Sequence, residues 1–539
     1  MSDPVIEAAM HPAAPGADNT DGASPAPGRG EAGYAPRIEG GLDAIVVGAT
    51  VDGFVAAWHL AKAGLKTVLL EAGAASPVRR EFAPGYFSDD GEILVRTLDP
   101  AVIADLDLYR HGLSFVQRRF ETVYYFPDGS ALRLDGDLYQ AFEALYDFDE
   151  EEADIFQAFT EEILEAGRDL RPFLKGEGAV KLSKRSEAFL NKYASASLDQ
   201  VVSARFKNDY IKSLLLAEAS LQSGLRPSDP HSFLALVRRW AGEAVGLQAG
   251  AALPAGGYGG VFDALRRAAQ AAGVEFRAGA DINAVIVEWD KAAGVAMADG
   301  SQVRAPVVVH ALNSKTAFMN HVGPQLTDIE FQRVLSARAT KAAAAKVHFA
   351  LKGTPRDGKT RLNLTRRLVY CPDALALRKA YRMARDGEAS SELLMELVFP
   401  SVYEEGWAPP NGNLAAGWLH PVPFEAESSV AMRGQVRAAA IKTLERIAPG
   451  AQERLEAVEV RLADDLAQSS GLAPSTFSGA RGVFDAVTLA RAATGASGVD
   501  GVFFCGPEAQ IGPGVNGAAG RNAGRAAVRY ARRDVARNE

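Results

Sequence analysis

The residues best suited to chemistry stand near the start of the sequence, in a glycine-containing segment. Gly48, Thr50 and Gly53 have the spacing of a dinucleotide-binding turn, and Glu71 follows at the distance of a ribose-binding acid. In such a turn the first glycine allows a tight bend, and the N–H groups that begin the helix bind a pyrophosphate. A carboxylate at Glu71 would accept hydrogen bonds from the ribose hydroxyls. The spacing therefore predicts a dinucleotide site.

The segments on either side of this turn have the patterns that such a site requires. Residues 43–48 are an apolar, β-branched run, which is typical of a strand buried on both faces of a parallel sheet. Apolar residues then recur at helical spacing from Phe54 to Gly64, and residues 66–71 have the pattern of a second strand. This order of strand, turn, helix and strand predicts a doubly wound nucleotide-binding fold.

One residue departs from the glycine pattern. Thr50 stands where the middle glycine normally lets a pyrophosphate approach the backbone. Its β-branched side chain would occupy that space unless it turns aside, and its hydroxyl would then offer a hydrogen bond instead. The sequence leaves two interpretations open: a bound dinucleotide, or a fold of the same ancestry that no longer binds it tightly.

The end of the sequence forms a second candidate binding element. Residues 502–505 have the pattern of a strand, residues 506–514 form a glycine-containing loop, and a helix with small residues begins at Val515. Small residues such as Gly517 and Gly520 would let the start of this helix approach a bulky or anionic ligand. The alternative interpretation is a C-terminal helix whose small residues merely suit tight packing.

Together with residues 105–113, 254–260 and 279–287, these motifs resemble those of the phytoene desaturase-like flavoproteins, a branch of the FAD-dependent amine oxidase-like fold. The resemblance extends over nearly everything after residue 41. It implies an FAD site in which the strand at Ile282 lies against the adenine and the C-terminal motif closes over the flavin. The cofactor-binding residues that follow from the turn and from the resemblance are Gly48, Thr50, Gly53, Glu71, Ile282, Gly506, Gly514, Val515, Asn516 and Gly517.

The resemblance also implies the architecture, which is an α/β fold. A Rossmann-like FAD/NAD(P)-binding domain would carry an inserted substrate domain of mixed α+β structure. We predict a disordered tail at 1–40, an FAD-binding domain from 41–140, 250–325 and 476–539, and a substrate domain from 141–249 and 326–475. In the second insertion, we predict strands at 345–351, 393–400 and 415–419 and a helix at 435–447.

The activity that the resemblance implies is that of an FAD-dependent oxidoreductase. It would dehydrogenate or isomerise an apolar, polyene or isoprenoid-like substrate by hydride transfer to flavin N5. A flavin carries its own redox chemistry, and no catalytic residue stands out in the sequence. Pro77-Val78 replaces the family's Gly-Gly pair, and Glu508 places a carboxylate in the C-terminal loop. A second hypothesis therefore stays open, that of a flavin-free scaffold that binds lipid or another protein.

Composition and charge limit the partners. The 47% hydrophobic and 23% charged residues are typical of a folded globular protein, and the formal net charge of −9 argues against a nucleic-acid partner. Two cysteines, Cys371 and Cys505, are too few for a disulfide framework or a cysteine zinc site, and we predict no metal. From the sequence we expect neither a membrane-spanning stretch nor a secretory signal. We expect a cytoplasmic protein that contacts a membrane surface if its substrate is taken from there.

Overall fold

The computed structural model describes most of the chain after residue 40. The described residues are 41–72, 79–135, 141–174, 181–221, 226–329, 331–333, 342–357, 360–424, 429–470, 498–506, 509 and 516–538. The predicted tail at 1–40 lies outside them, and so do Pro77, Val78, Glu508, Gly514 and Val515.

The described chain contains both strands and helices, with consecutive helices between residues 141 and 241. The strands are β1 (Ala44–Val47), β2 (Thr67–Leu70), β3 (Arg80–Ala83), β4 (Tyr86–Ser88), β5 (Phe115–Gln117), β6 (Thr122–Tyr125), β7 (Ala131–Leu134), β8 (Glu243–Ala244), β9 (Leu247–Gln248), β10 (Leu253–Pro254), β11 (Glu275–Arg277), β12 (Ile282–Glu288), β13 (Lys291–Met297), β14 (Gln302–Arg304), β15 (Val307–His310), β16 (Ala342–Lys352), β17 (Arg356–Asp357), β18 (Thr360–Arg361), β19 (Arg367–Tyr370), β20 (Leu394–Val398), β21 (Gly412–Pro423), β22 (Leu455–Arg461) and β23 (Val502–Phe504). The α-helices are α1 (Val51–Lys62), α2 (Pro100–Asp105), α3 (Ala141–Phe148), α4 (Glu150–Leu174), α5 (Lys184–Tyr193), α6 (Leu198–Arg205), α7 (Asp209–Ser220), α8 (Phe233–Ala241), α9 (Tyr258–Ala271), α10 (Ala374–Arg385), α11 (Val430–Ile447), α12 (Ala463–Ser470) and α13 (Ala518–Asn538).

A five-stranded parallel sheet of order β11-β2-β1-β15-β23 carries the glycine turn. All residues of β1, β2 and β15 are buried, because α1, α13 and the three-stranded sheet β12–β14 pack against them. This burial explains the unbroken apolar runs in the sequence. The chain leaves β1 for β2 on one side and later adds β15 on the other. The crevice between β1 and β15 is therefore the topological switch point, where such sheets bind their ligands.

A second, seven-stranded sheet has the order β22-β16-β21-β20-β19-β6-β7. The predicted strands in the second insertion are confirmed as β16, β20 and β21, and the predicted helix is confirmed as the C-terminal part of α11. Strand β6 pairs in parallel with β19, so the predicted segment 41–140 supplies strands to both sheets. Helices α4 to α8 form a core with one face of this region. Within the described residues, no helix combines the length and apolar character needed to cross a membrane.

The last helix, α13, packs closely against α1. A Cβ placed on Gly520 would lie 2.1 Å from the Asp52 carbonyl oxygen, and one on Gly524 would lie 3.0 Å from the His59 Cβ. The Asp52 carboxylate also accepts a hydrogen bond from the Gly520 N–H at 2.9 Å. For these two glycines, the structure thus shows helix packing rather than ligand contact. The packing brings the beginnings of α1 and α13 side by side at the switch point.

Substituting Gly520→Ala tests this contact. The new methyl group has to displace the Asp52 backbone, and we expect a loss of roughly 1–3 kcal/mol in the free energy of unfolding, seen as a lower denaturation midpoint. The control is Gly434→Ala in α11, where nothing lies within 4 Å of an added Cβ. Alanine favours a helix over glycine, so the control should be neutral or slightly stabilising. Equal midpoints for the two variants would contradict the packing.

Candidate functional site

The predicted glycine turn lies at the carboxyl end of β1. Gly48 has a φ of +106°, a conformation that favours glycine, and its N–H donates to the Leu70 carbonyl at 2.9 Å. A Cβ on Gly53 would lie only 2.1 Å from the Gly48 carbonyl oxygen. Both glycines are therefore required by the backbone itself. They allow α1 to begin directly over the switch point, as the sequence predicts.

Thr50 is the N-cap of α1, the residue that begins the helix. Its Oγ1 accepts a hydrogen bond from the Gly53 N–H at 3.0 Å and donates to the Ala311 carbonyl at 3.4 Å. Ala311 directly follows β15, so the Thr50 hydroxyl reaches across the crevice between β1 and β15. The Thr50 hydroxyl thus already accepts from one of the helix N–H groups, that of Gly53, which would otherwise be available to a pyrophosphate.

Glu71 follows β2 and is buried, with 7% of the residue exposed. Its carboxylate forms an ion pair with Arg266 of α9, and its backbone carbonyl accepts from the Ala280 N–H at 3.1 Å. Ala280 lies two residues before Ile282, the first residue of β12, so the predicted ribose acid and the predicted adenine strand are neighbours. An ionised carboxylate has about four acceptor positions. Glu71 can therefore keep Arg266 and still accept from a ribose.

The C-terminal residues approach the same edge of the sheet. Gly506 follows β23, and an added Cβ there would lie 1.8 Å from the Leu312 carbonyl oxygen. The Asn516 side chain accepts from the Ala518 N–H at 2.8 Å and caps α13, while its backbone carbonyl accepts from the Asp99 N–H. Gly517 has a φ of +77° and packs against Val102. Gly514 and Val515 lie outside the described residues.

The described residues fit a dinucleotide at the switch point. The tight glycine turn, the helix that begins above it and the buried acid at the end of β2 are the three features that such a ligand uses. Two contacts differ from a simple site, because Thr50 caps α1 and Arg266 pairs with Glu71. Arg266 was not foreseen, since no local sequence signal links residues 195 positions apart.

A cavity of about 390 Å³, including its opening, lies where the start of α9 meets the seven-stranded sheet. Its apolar lining includes Ile93, Val116, Leu253, Leu414 and Ala416. The helix rises about 1.5 Å per residue, so Tyr258, the residue next to the cavity, and Arg266 are about 12 Å apart along α9. The cavity therefore lies near one end of this segment of α9, and Glu71, the predicted ribose acid, lies near the other.

Lys346, Asp89 and Glu404 line this cavity and have partners within the protein. Lys346 is buried, and its ammonium group donates to the Asp89 carboxylate at 2.9 Å and to the Asp89 carbonyl at 2.6 Å. The Glu404 carboxylate accepts from the Gly256 N–H and from the Trp407 indole N–H, each at 2.9 Å. The ion pair offsets the charges of Lys346 and Asp89, and the Gly256 and Trp407 N–H groups hold the Glu404 carboxylate in place. The cavity therefore offers a mostly apolar surface.

His348 also lines the cavity, and its Nδ1 lies 3.0 Å from the Glu459 carboxylate. Burial lowers the pKa of His348, so the ring is neutral at pH 7 and its Nδ1–H donates. Burial alone would raise the pKa of Glu459, but the hydrogen bonds from His348 and Arg80 outweigh it and lower the pKa to about 2. Ser88 also donates to Glu459, at 3.2 Å. The ionised Glu459 thus fixes three residues around the cavity.

The sequence reasoning did not find Lys346, Asp89 or Glu459. Lys346 carried a usable signal, because it is the one lysine, arginine, aspartate or glutamate inside the apolar run of residues 342–351. A buried lysine requires a partner, and such a position is a candidate site residue. Asp89 and Glu459 carried no such signal, since their partners lie hundreds of residues away in the chain.

Known proteins resemble this chain over most of its length. The family described as "Flavin containing amine oxidoreductase" matches residues 53–530. Pyridine nucleotide-disulfide oxidoreductase domain-containing protein 2 of Mus musculus is 25% identical over 555 aligned residues, which cover 92% of this chain and 94% of that protein. Hydroxyneurosporene desaturase of Cereibacter sphaeroides is 28% identical over 294 residues, 49% of this chain and 55% of that protein. The solved cyclohexylamine oxidase of Brevibacterium oxydans is 17% identical with a TM-score of 0.58, covers 92% of this chain and 100% of its own, and shows the fold alone. The predicted α/β FAD-binding fold class is confirmed.

The Glu459→Gln variant tests the charge that orders the cavity wall. The folded-state pKa of Glu459 is lowered from 4.5 to about 2, so the ionised carboxylate stabilises the fold above about pH 4.5. This contribution is lost as the pH falls toward 2. We expect the variant to unfold at a lower temperature than the wild type at pH 7, and the difference to shrink below about pH 4.5. Thermal unfolding followed across this pH range measures it.

The matched control is Glu453→Gln, which changes an exposed glutamate in the turn before β22. It should leave the unfolding temperature unchanged at each pH. If the difference between Glu459→Gln and the wild type stayed constant down to about pH 3, the charge of Glu459 would not be the source of the stability.

Proposed function

The chain belongs to the flavin containing amine oxidoreductase family, and from that premise we propose that it binds FAD and oxidises an apolar, polyene or isoprenoid-like substrate. The observation that carries the cofactor proposal is the arrangement at the switch point. There the Gly48–Gly53 turn, the start of α1 and the buried Glu71 lie at the carboxyl ends of the neighbouring strands β1 and β2. The predicted resemblance to the desaturase-like flavoproteins supports the same conclusion and is itself confirmed by the comparisons.

Each part of the cofactor would have a defined place. The start of α1 and the Gly48 turn would face the pyrophosphate, and Glu71 would accept from the ribose hydroxyls. When bound, FAD supplies the acceptor for a hydride from an allylic carbon of the substrate. The chain would orient the substrate and exclude water from it, because the cavity at the start of α9 is walled by Ile93, Leu253 and Ala416.

The chemistry of the cavity favours an uncharged substrate over an amine. Three carboxylates line the cavity, those of Asp89, Glu92 and Glu404. Asp89 is paired with Lys346, Glu404 accepts from Gly256 and Trp407, and Glu92 also has an interaction within the protein. Apolar side chains supply most of the remaining lining. Such a surface gains free energy by burying hydrocarbon and offers little to a charged group. An apolar polyene therefore fits the cavity better than a protonated amine does.

An FAD titration of the purified protein tests the cofactor. We expect the wild type to take up FAD and to show the absorption bands of a bound flavin. The Glu71→Gln variant should bind FAD about 10-fold more weakly or worse, because hydrogen bonds to a charged group contribute about 1.5–3 kcal/mol. The control is Glu275→Gln in the neighbouring strand β11, an exposed glutamate paired with Arg277. A wild type that stays colourless with excess FAD would contradict the proposal and favour the flavin-free scaffold.

Anaerobic reduction of the reconstituted protein tests the substrate. We expect phytoene dispersed in detergent to bleach the oxidised flavin spectrum, whereas benzylamine leaves it unchanged. An Ala416→Phe substitution fills part of the cavity and should slow bleaching by at least 10-fold with the FAD spectrum intact. Bleaching by benzylamine alone would show that the substrate is an amine and would contradict the apolar assignment.

A further inference from the structure

A second cavity lies in the inserted region, between strands β6, β7 and β19 and helices α4, α7 and α8. It encloses about 560 Å³, including its opening. Phe156, Leu214, Trp240 and Leu247 form much of its apolar wall. The side chains of Arg119 and Asp135, each 40% exposed, stand at its rim and form an ion pair with each other. Polar groups supply the rest of the lining, among them Thr122, Tyr124, Glu218, Arg239 and Arg367.

Glu218, Arg239 and Arg367 in the wall of this cavity belong to a buried cluster of charges that extends behind it to Arg96 and Glu396. The cluster contains three guanidinium groups and two carboxylates, those of Arg96, Arg239, Arg367, Glu218 and Glu396. Arg367 donates to Glu218 at 2.6 Å and also to Glu396, which accepts from Arg96 as well. Arg239 lies 3.3 Å from the second oxygen of Glu218. The three positive and two negative charges leave the cluster with a net charge of +1.

The neighbouring groups do not cancel this charge. Burial and the nearby Glu218 raise the pKa of Tyr124, so the phenol that donates to Glu218 is neutral. Burial lowers the pKa of His420 beside Glu396 to about 4, so that ring is also neutral at pH 7. Burial lowers the pKa of Arg239 to about 10. Burial alone would raise the pKa of Glu218, but the charges of Arg367 and Arg239 outweigh it and lower that pKa to about 2. Both groups therefore remain charged at pH 7.

Each guanidinium group in the cluster also keeps an unused donor. Among the described residues, no acceptor forms a hydrogen bond with Arg96 Nη1, Arg239 Nε or Arg367 Nη2, all of which are buried. A buried charged donor without an acceptor is unfavourable, and folded proteins rarely leave one so. The first cavity shows the contrast, since its Lys346 and Asp89 charges are paired with each other. The second cavity therefore lacks an acceptor that carries about one negative charge.

We propose that the second cavity binds an amphiphilic carboxylic acid, with its carboxylate at Arg239 and Arg367 and its apolar part against Phe156, Leu214 and Trp240. A carboxylate supplies one negative charge and matches the net +1, whereas a phosphate dianion would exceed it. Arginine binds carboxylates well because its planar donors match their two oxygens. This site goes beyond the proposed oxidation, since the binding requires neither FAD nor turnover.

Isothermal titration of the full-length protein with three probes of equal chain length tests the site. The probes are octanoate, octan-1-ol and octylamine, which share an apolar chain and differ in head-group charge. We expect octanoate to bind at least 10-fold more tightly than octan-1-ol, and octylamine to bind no better than the alcohol. If octanoate does not bind, or binds no more tightly than octan-1-ol, the proposal is wrong and the cluster is purely structural.

A pair of variants locates the binding. Arg239→Gln should weaken octanoate binding at least 10-fold and leave octan-1-ol binding unchanged. The control is Arg185→Gln in α5, an exposed arginine whose partner is Glu165, and it should bind octanoate as the wild type does. Unchanged octanoate affinity in Arg239→Gln would overturn the assignment of the site. If Arg239→Gln fails to fold, the comparison of the three probes on the wild type still decides. The flavin absorption spectrum, recorded on the same samples, reports separately on the FAD proposal.

Discussion

The contact of Gly53 with the Gly48 carbonyl is the constraint on which the nucleotide site depends. With no side chain at Gly53, α1 can begin immediately after β1, above the crevice that β1 forms with β15. The same closeness recurs where Gly520 of α13 packs on Asp52 of α1. Together these contacts bring the beginnings of two helices and the ends of the parallel strands to one place. A larger residue at either glycine would move α1 or α13 away from the crevice.

The parts of the fold that sequence could predict are those fixed by local patterns. Strand β1, helix α1, strand β2 and Glu71 follow one another within a short stretch, and continuous apolar runs mark strands buried on both faces. Among the predicted glycines that the structure describes, Gly48 and Gly517 have a positive φ, and a Cβ on Gly53 or Gly506 would meet a backbone oxygen. The local pattern at residues 502–505 also predicted strand β23, and the family resemblance assigned its motif to the same cofactor site. Its pairing with β15 joins residues nearly 200 positions apart.

The parts that the sequence could not supply depend on partners brought together only by folding. Arg266 reaches Glu71 from α9, and the charges of Arg96, Arg239 and Arg367 converge from a loop, a helix and a strand. Nothing in their spacing indicates that they meet. The structure also explains Thr50, whose hydroxyl caps α1 in place of the usual glycine. The two cavities also depend on groups that only folding brings together. Lys346 and Asp89 pair with each other beside the first cavity, whereas the arginine and glutamate cluster beside the second keeps a net positive charge.

The most direct measurement of the central claim is a crystal structure of the protein grown with a saturating concentration of FAD. The account predicts electron density for a dinucleotide in the crevice between β1 and β15. Its ribose should lie within hydrogen-bond distance of the Glu71 carboxylate, and its pyrophosphate should lie against the turn from Gly48 to Gly53. A crevice without density, or FAD bound elsewhere on the molecule, would contradict the account.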